Sequence, residues 1–349
     1  MRLCCRLIYC SLGFCIPCDI LMKETKPQTM SRPPDPKFLL RGDMDENVHS
    51  LLFSINSDVE HLYAGDGKGT VHIWDLKTNR IKYQLSDGQS PCFNLHTTNE
   101  TDLIVQRRHG VIDVYKISES KWILDRSTNY EFCSFCRSQL LSEKDAVLIP
   151  LDHSTVGILS LKTFKVESTL DPSKLSYNDK LGMVMAMKPL VDTNGLVLVA
   201  YEGGKLLLWD MRKNDVLSSL TVEQYPMTFD FDASLMQGIL GSASEKLEIF
   251  EMSPNHTLSH KSTRLLEHVS GIATLSVRPD KKIVTAGCWD GRLMLFSWKK
   301  LRPLAILKEH RASIYDIVYS QCKVEAYDTK CLMAATGKGG YISMWDIYN

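Results

Sequence analysis

The sequence of 349 residues has no excess of either charge, because Lys plus Arg and Asp plus Glu number 41 each. This balance argues against a broad basic surface for nucleic acid or for an anionic membrane. The HExxH pattern of zinc proteases and the GxSxG turn of α/β hydrolases are also absent. We therefore expect a protein with no catalytic residues, no cofactor, no metal, and neither nucleic acid nor membrane as a partner.

Cysteine is unevenly distributed. Five of the 11 cysteines fall within the first 18 residues, and the other six are scattered: Cys92, Cys133, Cys136, Cys288, Cys322 and Cys331. Scatter in a long chain indicates free thiols in a reducing compartment rather than a disulfide framework. Cys133 and Cys136 form a CxxC, but their segment is predicted to be a strand, on which residues three apart point to opposite faces. No second pair completes a zinc site.

The first 30 residues, "MRLCCRLIYCSLGFCIPCDILMKETKPQTM", differ from the rest of the chain. Arg2 and Arg6 before an apolar run resemble a signal peptide, and the cysteines are candidates for palmitoylation. Pro17 and Asp19 interrupt the apolar run, which is too short to span a bilayer. We favour a third interpretation, in which residues 1–35 are an unstructured extension and Met30 is the working start.

A glycine-rich stretch, "GDGKGTVHIWDLKT" at residues 65–78, could bind phosphate or form a hairpin turn. A P-loop ends in Gly-Lys-Ser/Thr, whereas here Lys68 is followed by Gly69. Residues 70–74 are β-branched or aromatic, which is typical of a strand and not of a helix whose N-terminus holds phosphate. We therefore predict a hairpin turn, in which glycine supplies the positive φ angle.

A short pattern recurs along the chain, as in "GTVHIWDL", "GKLLLWDM" and "GYISMWDI". Its large apolar or aromatic anchors are Trp74, Tyr115, Leu159, Trp209, Phe250, Phe296 and Trp345. Successive anchors are 41 to 50 residues apart, which is close to the period of ~40–45 residues for a four-stranded β-propeller blade. The sequence therefore predicts seven blades, with each anchor on the third strand of its blade.

The predicted strands also indicate how the ring closes. The predicted innermost strands are "VHSLLFS", "PCFNLHT", "EFCSFCR", "MVMAMKP", "PMTFDFD", "GIATLSV" and "SIYDIVY". No outer strand follows the seventh anchor, whereas "KFLLRG" at residues 37–42 precedes the first blade without a sheet of its own. We therefore predict an all-β, seven-bladed propeller over residues 36–349, closed by this N-terminal strand, which removes exposed strand edges.

Residues 36–349 resemble the WD-repeat family of β-propellers. The Trp-Asp pair occurs in blades one, four and seven, at Trp74, Trp209 and Trp345. The family's network joins a His before the innermost strand, an Asp in the hairpin turn and the Trp. The resemblance assigns structural roles to His268 and Asp290 in blade six and to His310 in blade seven. Blade six has Phe296 in place of Trp, and blade seven has Gly339 in place of Asp.

Longer segments, including "PPDPKFLLRG" and "FDFDASLMQGILGSASEKLEIF", resemble the G-protein-β-like, ASTRA-associated branch of this family. That resemblance implies a non-enzymatic scaffold, monomeric within a hetero-complex. It also implies a role in the maturation of phosphatidylinositol-3-kinase-related kinases with cochaperone components, with links to DNA-damage signalling in the cytoplasm and nucleus. A G-protein γ subunit is not expected as a partner, because prolines 17, 27, 33, 34 and 36 interrupt the region where a coiled-coil helix would lie.

Propellers commonly bind partners through the loops of one face of the ring. Turns predicted on that face carry Arg107, Arg108, Tyr201, Trp289 and Arg292. Arg, Tyr and Trp are the residues that most often anchor protein interfaces. Trp289 is the strongest candidate, because the turn itself does not require a Trp, and the alternative is that it packs against a neighbouring loop.

An alternative function rests on "LLLWDMRK", where Arg212 follows Trp-Asp by two residues. Substrate receptors of cullin ubiquitin ligases use such an Arg to bind their adaptor, whereas an Arg without this role would be a solvated charge. Two polar inserts, "DPSKLSYNDK" and "QCKVEAYDTKC", are predicted to be surface loops, with docking of a partner as the alternative.

Overall fold

The structure is a computed structural model that describes residues 33–45, 47–55, 58–86, 90–131, 134–141, 145–174, 180–190 and 195–348. Almost all of the predicted extension 1–35, Cys133 and the middle of the "DPSKLSYNDK" insert lie outside these ranges. The predictions made for them therefore stay predictions. In the described part of the chain, no helix has the length and apolar character that a membrane span requires.

Strands dominate the described residues and form seven four-stranded antiparallel sheets. The innermost strands of blades one to seven are β2 (Val48–Phe53), β6 (Cys92–His96), β10 (Gln139–Leu141), β14 (Val184–Pro189), β18 (Pro226–Asp232), β22 (Ile272–Val277) and β26 (Ile314–Tyr319). The second strands are β3 (His61–Asp66), β7 (Asp102–Arg107), β11 (Ala146–Pro150), β15 (Leu196–Tyr201), β19 (Gln237–Ser242), β23 (Ile283–Cys288) and β27 (Leu332–Gly337).

The third and outer strands complete each sheet. The third strands are β4 (Thr70–Asp75), β8 (Val111–Ser118), β12 (Val156–Ser160), β16 (Lys205–Asp210), β20 (Lys246–Met252), β24 (Leu293–Ser297) and β28 (Tyr341–Asp346). The outer strands are β5 (Arg80–Ser86), β9 (Lys121–Asn129), β13 (Val166–Leu170), β17 (Asp215–Thr221), β21 (Leu258–Leu265), β25 (Pro303–Leu307) and, in blade seven, β1 (Phe38–Arg41).

The N-terminal strand closes the ring as predicted. Strand β1 pairs antiparallel with β28, with Phe38 opposite Met344 and Arg41 opposite Tyr341. Leu40 is fully buried in a cluster that contains side chains from blades one and seven. The first and last parts of the propeller are therefore held in one sheet.

The seven anchors lie on the third strands, as the repeat predicts, and all are buried. Strand β4 shows why both faces of a blade are apolar, since residues 71 to 74 are all buried. Trp74 packs in the cluster shared with blade seven, and Ile73 packs in the cluster shared with blade two. Neighbouring sheets thus bury opposite faces of the same strand, which is how repeat architectures share one core.

The glycine-rich stretch forms the hairpin turn between β3 and β4. Gly69 has a φ angle of 85°, which L-residues with a Cβ seldom adopt. Asp66 accepts hydrogen bonds from the amides of Lys68 at 3.0 Å and Thr70 at 2.9 Å, and its carboxylate lies 2.9 Å from His72 Nε2. The hairpin prediction is confirmed, and the amides of the turn donate to the carboxylate of Asp66.

Blade three departs from the predicted pattern. Its innermost strand is the short β10, not "EFCSFCR", so the predicted strand position is wrong. Polar side chains of blade two hold the preceding segment instead. Gln106 donates to the carbonyl of Cys136 at 3.0 Å and accepts from the amide of Ser138 at 2.7 Å, while Asn94 donates to the Ser138 carbonyl at 2.9 Å. Backbone groups that a strand would pair are thus satisfied by side chains.

The insert "QCKVEAYDTKC" is not a simple surface loop. Val324 is fully buried in the cluster with Val59 of blade one, and the amide of Val59 donates to the carbonyl of Lys323 at 3.1 Å. Tyr327 donates its hydroxyl hydrogen bond to Asn79 at 2.5 Å. Residues 322–329, which we call the lower clasp, therefore join blade seven to blade one a second time, and the surface-loop prediction is corrected.

Candidate functional site

The turns between second and third strands lie on one face of the propeller, together with the connections that lead into the innermost strands. Because the strands of each blade alternate in direction, this arrangement repeats in every blade. Backbone hydrogen bonds join the two kinds of loop, as from Trp289 to the Gly271 carbonyl at 3.0 Å and from Gly67 to the Asn47 carbonyl at 2.7 Å. We call this side the upper face, and the side of the lower clasp the lower face.

A central cavity of about 630 Å³ runs between the innermost strands. Residues from the upper-face loops and from the upper ends of the innermost strands surround its opening, which we call the channel mouth: His49, Phe93, Arg108, Phe135, Trp289 and Tyr315. The rings of His49 and Tyr315 stack at 5.0 Å between centroids. The mouth is thus rich in the aromatic and guanidinium groups that anchor protein interfaces.

Trp289 packs against a neighbouring loop and keeps part of its ring exposed, while its contact with a partner stays a prediction. Its ring packs over Gly271, where an added Cβ would lie 2.6 Å from the indole. It is nevertheless 39% exposed and lines the channel mouth. One part of the ring therefore packs against a neighbouring loop, and another part is accessible to a partner.

Arg108, on blade two, lines the same cavity as Trp289, on blade six, and its guanidinium is 5.7 Å from the ring centroid of Phe135. Phe135 is 54% exposed. The sequence does not identify Phe135 as a surface residue, because it predicts this segment to be the innermost strand of blade three. Its position four residues before the innermost strand β10 places it on the upper face.

Arg292 supports its own turn. Its Nε donates to Asp290 at 2.7 Å, and its Nη atoms donate to the carbonyls of Glu267 and His268. Burial alone would raise the pKa of Asp290, but hydrogen bonds from Arg292 hold that pKa below its usual value. Most hydrogen-bonding groups of Arg292 are thus used within the chain, which leaves it a weaker candidate for partner binding than Trp289.

Arg107 is not part of the accessible surface. It is 4% exposed, pairs with Asp113, and donates to the carbonyl of Gly69 at 2.7 Å and to the hydroxyl of Tyr115 at 3.0 Å. Although burial opposes it, the bond to Asp113 raises the pKa of Arg107. The prediction that Arg107 contacts a partner is corrected, because this side chain joins the turn of blade one to blade two.

Tyr201 is also buried, with no exposed surface. It is the last residue of β15 and packs in the cluster formed by blades three and four, with Leu181 and Val184. The predicted contact with a partner is therefore corrected. A residue at the end of a strand can point into the space between blades even where the adjoining turn is exposed.

The predicted structural networks are present in part. In blade seven, His310 Nε2 lies 2.7 Å from the hydroxyl of Ser343, and the Trp345 indole donates to the same oxygen at 2.8 Å. Burial lowers the pKa of His310 to about 4. In blade six, His268 is exposed, and Asp290 accepts from Arg292 instead, so the predicted His268–Asp290 pairing is corrected.

The Trp-Asp pairs of the other two blades serve mainly as packing anchors. Trp74 and Trp209 are buried, and neither indole nitrogen has a hydrogen-bond partner among the described residues. After Trp209, Asp210 is buried and binds Arg212, whose side chain is 57% exposed on the lower face. Arg212 Nε and Nη2 lie 3.3 and 3.2 Å from the two oxygens of Asp210.

The described residues contain no group of three or more His, Cys, Asp or Glu side chains placed to hold a metal ion. The thiols of Cys92 and Cys288 are buried, and burial raises the pKa of each to about 12. Such thiols are protonated at neutral pH and do not act as nucleophiles.

The seven closed sheets and the His310–Ser343–Trp345 network define a WD-repeat β-propeller. The family described as "WD domain, G-beta repeat" matches residues 257–297. This match begins at the outer strand of blade five and ends at the third strand of blade six. The sequence repeat therefore starts with an outer strand, just as the propeller itself starts with β1, the outer strand of blade seven.

Curated relatives cover almost the whole chain. The mouse guanine nucleotide-binding protein subunit beta-like protein 1 is 31% identical over 330 residues, covering 90% of this chain and 97% of the relative. ASTRA-associated protein 1 of Schizosaccharomyces pombe is 24% identical over 391 residues, and that of Verticillium alfalfae is 22% identical over 386 residues. These two matches cover 90% and 92% of this chain, and 99% and 95% of the relatives. The chain belongs to the WD-repeat family that includes guanine nucleotide-binding protein subunit beta-like protein 1.

Proposed function

We propose that this protein is a non-enzymatic interaction scaffold that supports the maturation or stability of phosphatidylinositol-3-kinase-related kinases together with cochaperone components. The observation that carries the proposal is similarity along the whole propeller to proteins named ASTRA-associated. The channel mouth supplies a suitable surface, since it carries exposed Trp289 and, beside the guanidinium of Arg108, exposed Phe135. We further propose that the protein is monomeric within its assembly, occurs in cytoplasm and nucleus, and binds neither nucleic acid, membrane nor a G-protein γ subunit.

Affinity purification from cells tests this function. The full chain, Trp289→Ala and Arg212→Ala are each tagged, and recovered proteins are identified by mass spectrometry. Recovery of kinase-maturation cochaperone components by the full chain, reduced for Trp289→Ala and retained for Arg212→Ala, supports the proposal. Depletion of the protein should also lower the steady-state level of the kinases. Unchanged kinase levels, together with absence of those components, would refute it.

Arg212 carries the alternative function, that of a cullin-ligase substrate receptor. Its exposure on the lower face leaves it accessible, although Asp210 engages its guanidinium. Recovery of a cullin adaptor that is lost in Arg212→Ala would favour this alternative, in the same purification.

A further inference from the structure

The charged groups that line the central cavity are unequal in number. Among the described residues of the wall, three cations, Arg108, Arg137 and Lys188, accompany two carboxylates, Asp230 and Asp316. Arg137 pairs with Asp316, and Lys188 lies 2.9 Å from Asp230. The described part of the cavity wall therefore carries one more cation than carboxylates.

Both carboxylates are also used by the fold. Asp316 accepts the amide of Leu51 at 2.7 Å, which joins blade seven to blade one, and Asp230 accepts the amide of Val277 at 2.8 Å, which joins blade five to blade six. Neither can move to serve a further cation without breaking an inter-blade contact. They are fixed parts of the ring.

Of the cations in the described part of the wall, Arg108 is the one without a carboxylate partner. Within the described ranges no carboxylate lies at salt-bridge distance from it, and its ring partner Phe135 is neutral. His49 carries no negative charge that could pair with Arg108. Burial first, and then the positive charges of Arg137 and Arg108, lower its pKa. The channel mouth thus combines a half-buried guanidinium with exposed apolar rings.

We propose that the channel mouth binds an extended segment of a partner protein in which a carboxylate side chain lies beside an apolar one. The carboxylate pairs with Arg108, and the neighbouring apolar side chain packs against Phe135, while a further apolar side chain of the same segment packs against Trp289 on the blade-six side of the mouth. A planar guanidinium in a partly desolvated, aromatic setting is well suited to a carboxylate. Methionines 185 and 227 in the wall of the cavity allow the apolar contact to adapt in shape. This inference rests on the proposed function and specifies the ligand of the scaffold.

A random-peptide phage library of about 12 residues, selected on the purified full chain, tests the ligand class without a prior choice of sequence. We expect enriched peptides to carry Asp or Glu next to Leu, Phe or Met. The best peptide is then synthesised and its binding measured by fluorescence anisotropy. Arg108→Gln should weaken binding about tenfold, as should Trp289→Ala, and higher salt should weaken binding to the full chain more than to Arg108→Gln.

Arg302→Gln, at an exposed position on the lower face between β24 and β25, is the matched charge control and should bind as the full chain does. Circular dichroism melts verify that each variant is folded. Enrichment of peptides without acidic residues, no enrichment at all, or equal affinity for Arg108→Gln would overturn the inference.

The same variants separate this inference from the proposed function. If Arg108→Gln recovers the cochaperone components from cells as well as the full chain does, the scaffold function stands and the acidic ligand is wrong. If acidic peptides are selected through Arg108 while the components are not recovered, the ligand class stands and the assembly is wrong.

Discussion

Replacement of Leu40 by alanine tests whether the N-terminal strand holds the ring together. Leu40 has no exposed surface and belongs to a cluster with Trp74, Ile342 and Met344. The cavity left by Leu→Ala in such a site costs about 2–5 kcal/mol of unfolding free energy. Because two separate sheets form its walls, we expect little collapse and a loss of about 3 kcal/mol, or a Tm lower by roughly 5 °C for a propeller of this size.

Phe38→Ala is the control on the same strand. Phe38 is 41% exposed, so its truncation should cost about 1 kcal/mol or less. Thermal melts by circular dichroism, with urea titrations, compare the two variants. If Leu40→Ala melts no lower than Phe38→Ala, the strand does not carry the closure.

Removal of residues 37–42 is the stronger version of the same test. Strand β28 would then be left as an open edge, which promotes association between chains. We expect the truncated chain to elute as larger species in size-exclusion chromatography. Elution and melting like the intact chain would refute the closed ring.

Three further predictions concern the interior and the lower face. Arg107→Met leaves Asp113 buried without its cation and should cost about 3–5 kcal/mol, whereas Arg107→Met with Asp113→Leu should recover part of the loss in a double-mutant cycle. His310, whose pKa is lowered to about 4, stays neutral in the folded protein while the unfolded chain takes up a proton. Its stabilising contribution is therefore complete above about pH 6.5 and is lost as pH falls from there toward about 4, by about 3 kcal/mol in all. Urea midpoints measured across this range should fall less steeply for His310→Gln, and an equal slope would contradict the assignment. Val324→Ala should lower the free energy of unfolding by about 2 kcal/mol, because it leaves a cavity in the lower clasp. Lys330→Ala changes an exposed neighbour and should leave stability unchanged. Urea titrations of both variants measure the difference.

The architecture could be predicted because it depends on a pattern repeated seven times. An anchor such as Trp209 need only be apolar and correctly spaced for its blade to be recognised, and the unpaired strand near Leu40 follows from counting strands. Blade three was harder, because side chains of blade two replace the backbone pairing of its innermost strand. Contacts between residues distant in the chain, such as Gln106 with Ser138, leave no local pattern.

The surface was predicted less well for a physical reason. Arg107 and Arg108 are adjacent, yet one is buried against Asp113 and the other lies at the channel mouth. Alternation along a strand turns neighbouring side chains in opposite directions, and the strand ends one residue later than the sequence suggests. The sequence identifies which loops lie on the upper face but not which of their side chains point outward.

Pairing of the first strand with the last also determines the order in which this chain can fold during synthesis. Arg41 leaves the ribosome 300 residues before its partner Tyr341, a delay of roughly 15–60 s at typical rates of translation. During that interval the strand near Leu40 and the apolar side of blade one have no covering sheet. The nascent chain therefore exposes an unpaired strand edge and apolar surface, to which chaperones and other nascent chains can bind.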